Sequence, residues 1–345
     1  MSFVLNSIIN IGNYQFYGVH EVVIKKSIHS FTDTCNIKIP VTCRVRTKDK
    51  VLQTESIQFV KSSEQFVEGD KVKVQLGYNK QYQQEFVGFV RRINFTTPLE
   101  IECEGYSYQL RNNLTAKKFK NVDYREILKY IIAGTDIVFH PAMKAVQSIP
   151  VNDFLIGNLT GIQALEEFRK HMRDSLVMFF VDNQLYAGLD LLYAGSQPDY
   201  IGQTNTTKYL IDWNTIKSND LKLVDPGNLK VTVQIGNGKK DGSKQMVSGG
   251  DKSSTFIIKE KVTILSDAAT LKMMADIKAG KKKYKGFEGK VTAFGQPFCQ
   301  HAYRIILTHK HYHEMEGTYL ADSIEVKYDR SGFRRIVGIG HNLSL

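Results

Sequence analysis

The chain has 345 residues, of which 42% are hydrophobic and 23% charged, and a formal net charge of +11. This ordinary globular composition excludes a disordered or collagen-like chain, and the length leaves room for two or three domains. No apolar run approaches the roughly 18 residues of a membrane span, and the start, MSFVLNSIIN, lacks the basic and long apolar regions of a secretory signal.

Residues 1–115 read as strands. HEVVIKKSIHSFTDTCNIKIP gives two strands around a Ser/Thr/Asp turn. In EGDKVKVQLGYNKQYQQEFVGFVRRINFTTPLEIECEG, residues 68–105, Val72, Val74 and Leu76 alternate with Lys71, Lys73 and Gln75. Val87, Phe89, Ile93 and Phe95 share a face of the next segment, with Arg91 as the exception. Leu99, Ile101 and Cys103 then alternate with Glu100, Glu102 and Glu104. A period of two places apolar residues on one face and charge on the other, so this stretch predicts an antiparallel meander.

Residues 116–204 change character, to a small α/β module. Asp123 with Glu126 marks a helix start, Ile127, Leu128, Ile131 and Ile132 form its apolar stripe, and Gly134 stops it. Thr160 and Gln163 mark a second helix with Ile162, Leu165, Phe168 and Met172 facing inward. Asp182-Asn183 is a two-residue turn between strands.

Strands return over residues 205–345. Leu229, Val231, Val233 and Ile235 alternate with polar residues. The Gly-, Lys- and Ser-rich stretch 236–254 reads as a mobile polar loop, and residues 266–280 as a helix ending at Gly280. The chain closes on strands 302–308, 318–328 and 333–339, which match in order and length the strands 70–76, 86–95 and 99–105 that close the first block. The pattern predicts a mainly β, α+β chain: two related antiparallel β-barrels, 1–115 and 205–345, flanking the insert 116–204.

Little in the residues points to a reaction or a cofactor. GKKKYKG lacks the spacing of a phosphate-cradling loop, and there is no G-x-S-x-G, H-E-x-x-H or zinc-type Cys pair. Cys35, Cys43, Cys103 and Cys299 read as buried or incidental thiols in a reducing compartment, with a Cys35–Cys43 disulfide as the alternative. His309, His311 and His313 alternate, so a strand would put them on one face, with Glu314 or Glu316, and His301, to complete a metal site. A polar hairpin tip that tolerates histidine explains the same pattern. Glu166-Glu167 diverge on a helix, and Glu100, Glu102 and Glu104 read as a charged barrel face rather than the flanking carboxyls of a glycosidase. The basic balance fits a solvated surface or an anionic partner.

Several short motifs do carry a resemblance. Glu68-Gly69-Asp70, then Phe86, Gly88, Val90 and Ile93, then Cys103-Glu104-Gly105-Tyr106 resemble the pattern of contractile-tail baseplate hub proteins of bacteriophages. EGTYLADSIEVKYDRSGFRRIVGIG, from Glu316 to Gly340, is similar to the closing strands of the same family, which includes phage late control protein D and the hub part of VgrG spikes. The resemblance implies a non-enzymatic structural protein of a virion tail or injection machine, assembled in the bacterial cytoplasm. It implies a homotrimer with two tube-forming barrels per chain, hence a pseudo-sixfold ring between a sixfold tail tube and a threefold spike. Because the chain ends at Leu345, the spike would be a separate chain, with other baseplate components as further partners and nucleic acid at most passing through the ring's lumen. The resemblance carries over no catalytic residues. Lys239, Lys240, Lys244 and Lys252, in the 236–254 loop, are the expected partner contact. The rival readings are a nucleic-acid-binding β-barrel protein acting through Lys281 to Lys283, with a steep salt dependence, and a cell-wall hydrolase.

Overall fold

The computed structural model describes residues 4–48, 55–190, 205–217, 220–238 and 244–343. The first block contains β1 (Leu5–Ile11), β2 (Tyr14–Phe16), β3 (Glu21–Ser27), β4 (Thr34–Ile39), β5 (Thr42–Lys48), β6 (Glu55–Lys61), β7 (Lys71–Tyr78), β8 (Gln81–Asn94) and β9 (Leu99–Glu104). The middle adds β10 (Lys117–Asp123), α1 (Tyr124–Ile132), β11 (Val138–Phe139), β12 (Pro150–Ile156), α2 (Gly161–His171), β13 (Leu176–Val181) and β14 (Gln184–Leu189). The last part runs β15 (Thr206–Ile211), β16 (Thr215–Lys217), β17 (Lys222–Val224), β18 (Val231–Gly238), β19 (Lys244–Gly250) and β20 (Phe256–Lys261). It ends with α3 (Ala268–Lys282), β21 (Gly286–Phe294), β22 (Arg304–His309), β23 (Gly317–Asp329) and β24 (Gly332–Asn342).

The expected pair of β-barrels does not form. Both β blocks join one open 14-stranded sheet, whose main path is β16-β21-β24-β23-β3-β4-β9-β8-β7-β1-β2, and no sheet among the described residues closes on itself. Alternation specifies which face of a strand is buried, not which strand lies beside it. Here β3 takes β4 on one side and β23 on the other, in antiparallel register from Ser27↔Ser323 to Glu21↔Asp329. The two blocks therefore extend one sheet instead of closing as two.

The strand order nevertheless repeats. In the first block it is β1-β7-β8-β9-β4, and in the second β15-β22-β23-β24-β21. The pairs correspond throughout, except that β1 meets β7 antiparallel and β15 meets β22 parallel.

Two cores result. Under the long sheet, Ile9, Val74, Phe86 and Ile101 of the first block pack with Val291, Ile324, Val326 and Val337 of the second. The other core joins Leu128 and Phe168 of α1 and α2 to Phe179, Val233 and Met274. The start signals hold, with the Asp123 side chain accepting from the Arg125 N–H and Thr160 with Gln163 forming a reciprocal capping box, but α3 runs past Gly280 to Lys282. Asp182, at φ 52°, turns the chain between Val181 and Gln184.

Two sequence readings fail for local reasons. Residues 236–254 are not simply a loop, because β18 and β19 pair from Thr232↔Gly250 to Gly238↔Lys244. In β8, register shifts add one residue opposite Val74/Gln75 and another opposite Cys103/Glu102, breaking the simple alternation. Phe86, Phe89 and Val90 are buried, whereas Phe95, expected inside, is 81% exposed.

The first of these bulges turns consecutive residues Glu85 and Phe86 inward. Glu85 there meets Arg335 of β24, Oε1 to Nη2 at 2.6 Å, with side-chain exposures of 2% and 1%. Arg335 Nη1 donates to the Cys299 carbonyl at 2.8 Å, and Nε and Nη2 donate to the Gly295 carbonyl at 3.2 and 3.0 Å. Removing one partner of such a pair strands a buried charge, at about 3–5 kcal/mol. Glu85→Ala is expected to lose that much stability in urea unfolding, and Glu85→Gln, which keeps an acceptor for Arg335, distinctly less.

Candidate assembly surface

The motifs that carried the resemblance hold the sheet together. Gly69, at φ 91°, makes the turn into β7; its N–H donates to the Val90 carbonyl, and Val90 N–H donates back to the Asp70 carbonyl. A Cβ at Gly88 would lie 2.2 Å from the Glu104 carbonyl oxygen, so β8 and β9 approach there only because residue 88 is glycine. Cys103 pairs across strands with Cys35, both buried thiols; all four cysteines are free. Glu104 is fully buried and accepts from Arg111 Nε at 3.0 Å and Ser107 Oγ at 2.8 Å. Glu100 and Glu102 each accept an amide, from Asn36 and Asn94. Glu100 and Glu104 thus serve the sheet, while Glu102 also lines a hollow on its polar face.

The histidines do not share a strand face. β22 ends at His309, which is buried and accepts the His311 and Tyr312 N–H groups on Nδ1, while His311 and His313 are exposed in the following turn. His313 Nδ1 lies 3.0 Å from Glu316 Oε1. His301 is elsewhere, buried, its Nε2 donating to the Phe180 carbonyl at 2.7 Å. Among the described residues no group of three or more His, Cys, Asp and Glu could hold a metal ion. Lys239 and Lys240 lie outside the described residues, Lys244 opens β19, and Lys252 is exposed in the turn after it. Of the lysines assigned to nucleic acid, Lys281 pairs with Asp190 and Lys283 with Asp251, each at 3.1 Å. Glu167 pairs with Lys170 at 3.0 Å.

Three features escaped the sequence reading. The polar face of the long sheet forms two adjoining hollows that share Lys25. One, of about 310 Å³, includes Ser27, Lys290 and Glu325; the other, of about 420 Å³, includes Lys38, Arg91 and Glu102. The second feature is Trp213, the only tryptophan, 81% exposed between β15 and β16 and flanked by the partly exposed Leu210 and Ile216. Tryptophan is rarely so exposed without a partner. Its signal in the sequence was a lone Trp inside an Asp-Trp-Asn turn.

The third is a buried polar group around Asp33 and His301. Asp33 Oδ1 and His301 Nδ1 have no hydrogen-bond partner, and the buried Lys26 ammonium acts on both. Burial raises the Asp33 carboxyl to about 7, against the lowering effect of Lys26. Burial, assisted by Lys26, lowers the His301 imidazole to about 3.

No family model matches the sequence, and no curated protein matches it. Solved structures do match. A tail protein from Neisseria meningitidis superposes with a TM-score of 0.62 at 14% identity, over 97% of this chain and 96% of that one. This chain has the fold of a phage-type tail protein. The 43 kDa tail protein of prophage MuSo2 from Shewanella oneidensis matches with a TM-score of 0.61 at 12% identity, covering 98% of each chain. An E. coli component of the type VI secretion system, described as structurally similar to T4 bacteriophage tail proteins, matches with a TM-score of 0.55 at 7% identity. It is covered over 76% of its length, by 96% of this chain. The tail-protein fold thus spans nearly all of this chain, including the insert between its β blocks.

The Asp33 shift has a consequence with a definite sign. The folded state binds the Asp33 proton more tightly than the unfolded chain, so the carboxyl progressively destabilises the fold as pH rises from about 4 to about 7. Asp33→Asn removes that dependence. Its stability relative to the parent is expected to increase by a few kcal/mol between pH 5 and pH 8 in urea titrations, and to level off above. His301 acts oppositely: its contribution is present above pH 6.5 and is lost toward pH 3.

Proposed function

We propose that this chain is a structural, non-catalytic hub of a contractile tail or injection machine, and that three copies form a ring. The observation that carries the reading is the repeated strand order, β1-β7-β8-β9-β4 and β15-β22-β23-β24-β21, on a fold shared over almost its full length with tail proteins. A chain with two similar strand sets offers six in a trimer. Such a ring presents quasi-sixfold symmetry to a tube on one side and threefold symmetry to a spike on the other. Its place is a virion tail or a related machine assembled in the bacterial cytoplasm, with tube, spike and other baseplate proteins as neighbours. In this reading 1–115 and the long-sheet strands of 205–345 act as ring units, while 116–204 together with β18–β20 and α3 forms the outer module. The two ring units are halves of one open sheet.

Trp213 is the residue we place at the contact between copies, because a nearly fully exposed tryptophan beside the sheet-edge strands β15 and β16 suits a buried interface anchor. Light scattering behind a sizing column tests the reading. The expected species is three chains, about 118 kDa from 39.2 kDa each. Trp213→Asp is expected to weaken the association at least tenfold while leaving the monomer folded. A chain that stays monomeric, alone and with the adjoining tube and spike proteins, would sink the proposal.

A further inference from the structure

The small sheet β19-β18-β20 has an open edge at β20, which pairs only with β18 among the described residues. Val262 N–H donates toward β18, to the Gly236 carbonyl at 2.9 Å, while the Lys261 carbonyl accepts from Arg173 Nε at 2.9 Å. Backbone groups of successive strand residues point to alternate edges, so Ile257, Lys259 and Lys261 present theirs away from β18. Phe256 and Ile257 are about half exposed, an unusual apolar start for an edge strand. The strand runs toward a pocket of about 220 Å³ formed by Glu167, Lys170, His171, Arg173, Lys261 and Thr263. Its acidic member is already paired with Lys170, and Glu260 of β20 is paired with Lys278 at 2.7 Å. Asp174, next to the pocket, lies 3.8 Å from Arg169.

We infer that β20 is a docking edge for an extended acidic segment of a partner protein. The segment would add as a strand along Phe256–Lys261, cover Ile257, and place a carboxylate in the basic pocket. Main-chain pairing supplies affinity in this mode, and the pocket supplies selection. A second copy of this chain is the poorer occupant, since it would bring Lys259 and Lys261 against themselves. The site lies on the insert-side core and stands independently of the ring, so it is tested on the chain alone.

The probe is a fluorescein-labelled, end-capped eight-residue peptide alternating Glu with Val, followed by fluorescence anisotropy. It is expected to bind, more weakly as salt rises, and at least about tenfold tighter than its Lys/Val counterpart. The paired substitution Arg173→Glu with Lys261→Glu is expected to cost about tenfold or more. N-methylation of the peptide at alternate residues, which leaves the protein untouched, is expected to abolish binding; Ile257→Pro, at an outward-facing N–H, should do the same. Equal binding of acidic and basic peptides, undiminished binding of the N-methylated peptide, or no binding of the acidic peptide at about 1 mM would each overturn the inference. Tighter binding of a single-stranded oligonucleotide than of the acidic peptide would also overturn it.

Discussion

The antiparallel seam between β3 and β23 is the contact on which the rest of this molecule depends. It brings together residues about 300 positions apart, so forming it carries a loop-closure cost that local strand pairing does not. Seven residue pairs hold it, and each cross-strand pair contributes a few tenths to about 1 kcal/mol. The Glu85–Arg335 pair reinforces it by tying β8 to β24 through a buried charge contact. A bulge makes that contact possible, because only the extra residue in β8 turns Glu85 inward beside Phe86. The pair stabilises the arrangement less by its own attraction than by the cost of leaving either charge buried alone.

This constraint shapes what the protein can do. Two strand sets of the same order, held rigidly in one sheet, cannot rotate freely against each other, and a ring built from them inherits a fixed spacing. The α1/α2 module and the β18–β20 layer with α3 share the second core, which meets the long sheet at Ile28, Phe31 and Leu320, and so form a second body beside the seam. Exposed features divide in the same way. Trp213 lies by the edge of the long sheet, whereas the β20 edge and its basic pocket belong to the second body. In the proposed hub, contacts between copies and contacts with neighbours would fall on different surfaces.

Much of this was legible in the chain. The alternation of Val72, Val74 and Leu76 against lysine and glutamine, the Asp123 and Thr160 caps, and the Asp182 turn all report local physics that the sequence carries directly. The seam was not legible, because strands that meet across the whole chain carry no local mark of each other. Nor were the β8 bulges at Glu85 and Arg91, or the end of β8 at Asn94, which leaves Phe95 on the surface. Composition misled at 236–254, where Gly and Lys suggested a loop although Val231, Val233 and Ile235 needed a partner strand. Spacing misled at His309, His311 and His313, since the strand ends at the first of them. Nothing in the sequence marks Arg335 as buried; only the Glu85 carboxylate opposite it makes burial of its charge possible.

Native-state hydrogen exchange of the seam tests the central claim most directly. If one sheet joins both blocks, the β18-facing layer and the helices are free to open separately, but the amides of Val22–Lys26 and Ile324–Tyr328 should exchange only with global unfolding, alongside those of Val74 and Val337. Seam amides that exchange at much lower free energy than either block, with the two blocks unfolding in separate transitions, would contradict the account and return the molecule to two independent β domains.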